Sequence, residues 1–231
     1  MPLASLQNSV SIIKLGKPNG TTPFSISSTI SLPNAGTKYY LRAYISNAQG
    51  ATAYSKEVAF ETKKGPTIVS FAPTSTNINA IITIEGRDFG NNPFVTLSSP
   101  TTNNVVLSPT TFTSSRFNFV VPEDLVAGNY SITLSDGINT TQASNQLAVN
   151  ATVTEYPTTA APTESWFIRG TGFGRNLSLI DVNIANTKLV VNSVSPNLIV
   201  CTLPNATGSF VPSITINGQR VAVTQTITLR R

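Results

Sequence analysis

A nine-residue motif occurs twice in this chain. Residues 82–90 read Ile-Thr-Ile-Glu-Gly-Arg-Asp-Phe-Gly, and residues 166–174 read Trp-Phe-Ile-Arg-Gly-Thr-Gly-Phe-Gly. Aligned on Gly86 and Gly170, both give an apolar strand and then Gly-x-x-Phe-Gly. Each is followed by an apolar strand ending in Pro: Phe119-Val120-Val121-Pro122 in one copy, Cys201-Thr202-Leu203-Pro204 in the other. A Gly-containing turn and another alternating strand come next, Tyr130 to Leu134 and Val211 to Ile216. A repeated β unit of this size predicts tandem β-sandwiches.

Composition agrees. Hydrophobic residues make up 40% of the 231, enough for packed cores, while charged residues make up only 11%. Thr, Ser and Asn take the place of the charges, which favours strands and turns. No segment has helical periodicity. The expected fold is all-β, a series of tandem β-sandwiches.

Three segments are expected. Residues 1–64 contain Val10 to Leu15, read as a strand, and Phe24 to Leu32, which alternates apolar and polar residues. Then come Leu32-Pro33-Asn34-Ala35-Gly36-Thr37-Lys38-Tyr39-Tyr40-Leu41-Arg42-Ala43-Tyr44, the turn Asn47-Ala48-Gln49-Gly50, and a strand ending at Phe60-Glu61-Thr62. After the linker Lys63-Lys64-Gly65-Pro66, residues 65–149 form the first copy of the repeat. Asp136-Gly137 between alternating strands marks a hairpin tip there. Residues 150–231 form the second copy. Its opening strand, Val153 to Pro157, is short, and it ends in a hairpin around Asn217-Gly218.

Residues 24–62 resemble the C-terminal half of a fibronectin type III domain, in a form common in surface proteins of Bacteroidetes. The resemblance implies that Tyr39 is a corner tyrosine whose hydroxyl bonds backbone just upstream. The two repeats resemble IPT/TIG domains, the immunoglobulin-like modules of plexins, Rel-type transcription factors and bacterial surface proteins, and this resemblance makes the expected sandwiches immunoglobulin-like. The residues that carry this are Pro73, Ile82 to Ile84, Gly86, Phe89, Gly90, Val121-Pro122 and Gly128. In the second copy they are Ile168, Gly170, Phe173, Gly174, Leu203-Pro204 and Gly208. The glycines are expected to allow positive φ or close backbone approach, with Phe89 and Phe173 folding back into the core.

Chemistry is sparse. The sequence has no histidine and one cysteine, which removes the commonest general base, ordinary zinc sites and any internal disulfide. Cys201 reads as a small core residue. No calcium loop, phosphate-binding loop or nucleophile elbow occurs. No catalytic, cofactor or metal residue is expected, and the protein is read as no enzyme. The six Asn-x-Ser/Thr sequons at Asn19, Asn129, Asn139, Asn150, Asn176 and Asn205 follow from the Asn and Thr content. Net charge is +5, but the basic residues are dispersed, so nucleic acid is not an expected partner. No apolar run spans a membrane, and no secretory or lipid-anchor signal follows Met1; the chain has either lost an export signal or reaches its place without one.

Aromatic residues remain as recognition candidates. The repeat alignment puts Trp166 and Ile168 in the core and Phe167 outward, where the first copy has Thr83. Phe167 is therefore the candidate contact residue, and the competing reading is that a loop or neighbouring domain covers it. Tyr44, Tyr54, Phe94, Tyr130 and Phe210 are read as core or hairpin residues.

The expected function is a non-enzymatic structural or adhesion protein of an extracellular or cell surface, with surface glycan as a further contact. The alternative is a phage virion protein, decorating a capsid or forming a fibre. Residues 1–64 are short of strands for a complete sandwich. They fold as irregular but sufficient strands, or belong to a fragment, or accept a strand from a partner or a second copy. Residues 221–229 alternate and are read as the last strand of their own domain, with strand donation as the other reading.

Overall fold

Apolar residues at every second position drive this chain into strands, because a period of two puts them on one face. The computed structural model describes residues 12–13, 15–16, 27–32 and 34–230. The regular elements among them are strands, apart from one 3-10 turn at Leu177–Leu179. The chain divides into two compact units, Met1–Thr62 and Lys63–Arg231.

In the first unit, β1 (Lys38–Leu41) pairs antiparallel with β4 (Val58–Glu61), and β2 (Tyr44–Ser46) with β3 (Thr52–Tyr54). Together they make one interrupted hairpin around the Asn47–Gly50 turn. The Asn47 side chain closes that turn by accepting from the backbone N–H groups of Gln49 and Ala51. Tyr39 does meet backbone upstream, as an acceptor: the Asn34 N–H donates to its hydroxyl at 3.3 Å. The register places Tyr39, Leu41, Val58 and Phe60 on one face, yet no described residue between 27 and 62 is buried. The expected strand at Val10 to Leu15 is not a strand where it is described, at Ile12, Ile13 and Leu15; the rest lies outside the described residues. Of Phe24 to Leu32, residues 27–32 have no regular structure, and 24–26 lie outside the described residues.

The second unit holds two sandwiches. The first comprises β5 (Thr67–Ala72), β6 (Ser75–Thr76), β7 (Ile81–Arg87), β8 (Phe94–Ser99), β9 (Thr102–Leu107), β10 (Thr111–Phe112), β11 (Arg116–Val120), β12 (Gly128–Ser135) and β13 (Thr140–Val149). A four-stranded sheet, β10-β11-β7-β5, faces a five-stranded one, β6-β13-β12-β8-β9. Between them pack Phe71, Ile82, Ile84, Phe89, Phe117 and Phe119 against Val95, Leu97, Tyr130, Ile132, Leu134 and Leu147. Strand β6 joins β13 in parallel.

The second sandwich repeats the plan with β14 (Thr152–Glu155), β15 (Thr159–Ala160), β16 (Ser165–Thr171), β17 (Ile180–Ile184), β18 (Thr187–Lys188), β19 (Val190–Ser195), β20 (Leu198–Thr202), β21 (Gly208–Phe210), β22 (Ser213–Ile216), β23 (Gln219–Val221) and β24 (Ile227–Leu229). One sheet runs β14-β16-β20-β19. The opposite layer is split into β15-β24-β21 and β18-β17-β22-β23. The split has a cause in the sequence. Pro212 lacks an N–H, so the ladder cannot run continuously from β21 into β22.

The segment Val221 to Leu229 is correspondingly not one strand. Its ends pair within their own sandwich, β23 with β22 and β24 with β15 and β21. Residues 222–226 leave the ladder, and Gln225 turns its carbonyl to the Tyr156 hydroxyl, which donates to it at 2.6 Å. Both ordered ends are thus already partnered, so the strand-donor reading fails.

The repeated motif has one physical explanation at each of its glycines. At Gly86 and Gly170 an added Cβ would collide with the carbonyl oxygen of Thr67 or Thr152 and with the ring of Phe89 or Phe173. The need there is close approach. The last glycine needs the left-handed region instead, with φ of 78° at Gly90 and 68° at Gly174. The bend between them returns Phe89 and Phe173 to the core, where both are fully buried.

Candidate contact surfaces

The two sandwiches share more than a linker. After β11, the loop carrying Leu125, Val126 and Ala127 leaves the first sandwich. Val126 and Ala127 belong to the hydrophobic core of the second. The Ala127 N–H donates to the Gly172 carbonyl at 2.8 Å. The Asn217 side-chain amide donates to the Ala127 carbonyl at 2.9 Å. Space at the joint is full: a Cβ on Gly174 would lie 2.7 Å from the Val126 Cβ, and one on Gly128 would lie 2.6 Å from the Asn217 amide nitrogen. Tyr130, expected as a core residue, also fixes this loop. Its buried hydroxyl donates to the Val126 carbonyl at 2.7 Å, and burial pushes its phenol pKa up. The corner tyrosine sought in the first unit thus has a counterpart in the first sandwich, which was legible as Gly128-x-Tyr130. The second copy has Phe210 at the matching position, without a hydroxyl.

Asp136, at the tip of the β12–β13 hairpin, is a buried carboxylate. Its Oδ1 accepts from the backbone N–H groups of Ile138 and Asn139 at 2.9 and 2.7 Å, and Lys63 pairs with its Oδ2 at 3.1 Å. Burial pushes its pKa up, but the N–H donors of Asn139 and Ile138 and the Lys63 ammonium outweigh this and hold it below the usual Asp value. The geometry is that of a turn anchor. Among the described residues no group of three His, Cys, Asp or Glu side chains could hold a metal ion. Cys201 is fully buried, and desolvation pushes its thiol pKa up to about 12.

Trp166 and Ile168 are buried, as the alignment expects. The Trp166 indole N–H donates to the Pro157 carbonyl at 3.0 Å, and its ring meets Tyr156 edge-on at 5.1 Å. Phe167 projects from the opposite face of β16 and is half-buried, opposite Val200 on β20. The Arg169 guanidinium lies over its ring at 5.4 Å, and Glu155 on β14 pairs with Arg169 at 3.7 Å. One side of the Phe167 ring is thereby taken by its own neighbour.

The outer face of the five-stranded sheet has a different character. The register sets Gln142, Thr133 and Thr96 in one row, Gln146, Ser131 and Ser98 in a second, and Thr140, Ser135 and Phe94 in a third. Phe94, expected in a core or hairpin, lies half-buried on this outer face. Strand β9, which borders the face, was missed in sequence; its signal was Val105-Val106-Leu107.

The IPT/TIG domain family matches residues 152–229, the copy whose opening strand departs most from the pattern. Solved structures with similar folds include the surface glycan-binding protein PbSGBP-B from Prevotella bryantii, 14% identical, covering 71% of this chain and 41% of its own, with a TM-score of 0.42. Another is SGBP-B of a Bacteroides ovatus mixed-linkage glucan utilization locus in complex with a heptasaccharide, 19% identical, covering 85% and 53%, with a TM-score of 0.33. A third is the plexin A4 extracellular region, 14% identical, covering 73% and 18%, with a TM-score of 0.34. This chain spans between about a fifth and about half of their lengths. Likenesses this loose assign no function. No curated protein matches the sequence. Among the described residues no helix is long and apolar enough to cross a membrane. The chain therefore carries an IPT/TIG domain at residues 152–229, behind an immunoglobulin-like sandwich built on the same Gly-x-x-Phe-Gly plan.

Proposed function

We propose that this chain is a non-enzymatic spacer and attachment module of an extracellular or cell surface, organised as three domains over residues 1–64, 65–149 and 150–231. The observation that carries the reading is the joint at Val126 and Ala127. A module that holds something at a distance gains from sandwiches locked to each other, and the interlocked core removes the freedom that a bare linker would leave. The first domain is the attachment end in this reading, supported by the exposed apolar side chains Leu41, Val58 and Phe60 beside the half-buried Tyr39 on one face of its hairpin. Phe167 is a contact residue, and surface glycan is among the contacts.

Antibody labelling of intact cells producing the full chain is the direct test. Labelling of intact cells is expected; labelling only after permeabilisation would defeat the reading. Phe167→Ala is expected to weaken adhesion of such cells. A half-exposed ring should cost about 1 kcal/mol on truncation, against roughly 3–5 kcal/mol for a buried Phe. A loss in the larger range would make Phe167 a packing residue.

A further inference from the structure

We propose that the outer face of the five-stranded sheet of the first sandwich binds a neutral polysaccharide along its length. The inference deepens the reading of the chain as a contact module and rests on it.

Charge distribution is the first observation. The sequence has 15 basic and 10 acidic residues, and three of the four other sheets of this unit carry ion pairs, the short β15-β24-β21 sheet being the exception. Glu85 pairs with Arg116 across β7 and β11, Glu155 with Arg169 across β14 and β16, and Asp181 with Lys188 across β17 and β18. The rows on β13, β12 and β8 carry no charge. Their side chains are hydroxyls and carboxamides, with Phe94 at one end.

The second observation is that most of these groups are unused, the exception being the buried Ser135 hydroxyl, which donates to the Asn139 carbonyl and accepts from the Gly137 N–H. Gln146 reaches the Ser131 hydroxyl only at a long 3.4 Å. Among the described residues, the side chains of Thr96, Ser98, Thr133 and Gln142 make no hydrogen bond within the protein. Hydroxyls and carboxamides each donate and accept, which matches sugar hydroxyls that do both. A charged ligand would find no counter-charge here, and its desolvation would go uncompensated. Protein interfaces favour aromatic, Met and Arg side chains at their centre, and the centre of this face has none.

Geometry selects a polymer. Strands lie about 4.8 Å apart and same-face residues about 6.8 Å apart along a regular strand, so the donors and acceptors spread over an open sheet surface rather than a pocket, with a bulge in β13 between the Gln142 and Gln146 rows. The Phe94 ring offers an apolar surface on which the C–H face of a pyranose can rest.

The test is affinity electrophoresis of the full chain in gels containing a soluble β-glucan, a xylan or a galactomannan. At least one should retard the protein. Phe94→Ala and Gln142→Glu should each weaken that retardation at least tenfold, and Val190→Ala, at an exposed site on the second sandwich, should leave it unchanged. Gln142 is exposed, so its charged isostere tests the face without threatening the fold, and an unchanged circular dichroism spectrum and Tm confirm this. Absence of retardation by all three polymers overturns the proposal and leaves the module reading to the surface-labelling experiment. Retardation that Gln142→Glu does not alter also overturns it; if Phe167→Ala abolishes that retardation, contact lies at the other sandwich. A dimer in sedimentation analysis that Gln142→Glu dissolves would make the face a self-contact and equally end the proposal.

Discussion

Val126→Ala should destabilise a sandwich to which Val126 does not belong by sequence. The side chain is 6% exposed and packs in the core of the second repeat. Truncation removes two methyl carbons, worth about 0.8 kcal/mol each as lost burial. The residual cavity raises the total to about 2 kcal/mol. For a cooperative unit of this size, 2 kcal/mol lowers Tm by about 4–8 °C. The chain provides its own reporter, because Trp166 is its one tryptophan and is buried in the second sandwich. Thermal unfolding followed by tryptophan fluorescence should show the full shift. Val190→Ala, at a site 67% exposed, is the control and should stay within about 0.5 kcal/mol of the parent. A Trp166 transition unmoved by Val126→Ala would refute the shared core.

Asn217→Gly keeps the left-handed turn that Asn217 adopts at φ 48° but deletes the amide that bonds Ala127. It should cost about 1 kcal/mol, read by urea denaturation, and a neutral effect would show that this bond adds nothing to the joint. Asp136 titrates below its usual value of 3.8 in the folded protein. Its contribution to stability is therefore complete above that pH and lost as pH falls through the lower folded value. Asp136→Asn should flatten the acid limb of stability against pH, and an acid limb identical to the parent's would contradict the assignment. Cys201 should resist a thiol reagent at pH 8 in the native protein and react once urea unfolds it; prompt native reaction would mean that the core opens readily.

Much of this was legible because burial in a sandwich follows a period of two. Trp166, Ile168, Phe89 and Phe173 could be placed from alternation and one repeated motif. What escaped was set by partners distant in sequence. Val126 and Ala127 follow Pro122 in a stretch without periodicity, and nothing local says that their core is another repeat's. Residues 221–229 alternate well, but Pro212 breaks the strand they would have paired with, and Tyr156 claims Gln225. Phe167 could be assigned outward from parity alone, whereas the Arg169 side chain over its ring depended on Glu155 pairing across strands. The uncharged sheet face was invisible because its members come from three separate strands, and an absence of charge shows only when they are assembled.

The joint also bears on how such proteins grow by duplication. A recombination breakpoint between residues 149 and 150, where the repeats divide, would deliver a second sandwich without two of its core side chains. It would deliver the first with Val126 and Ala127 exposed at its end. The first product keeps its own core but carries two uncovered apolar side chains, and the second lacks part of its core. A gene that acquired this pair whole would receive both halves of the fit, so the unit that can be copied intact is the pair rather than the single repeat.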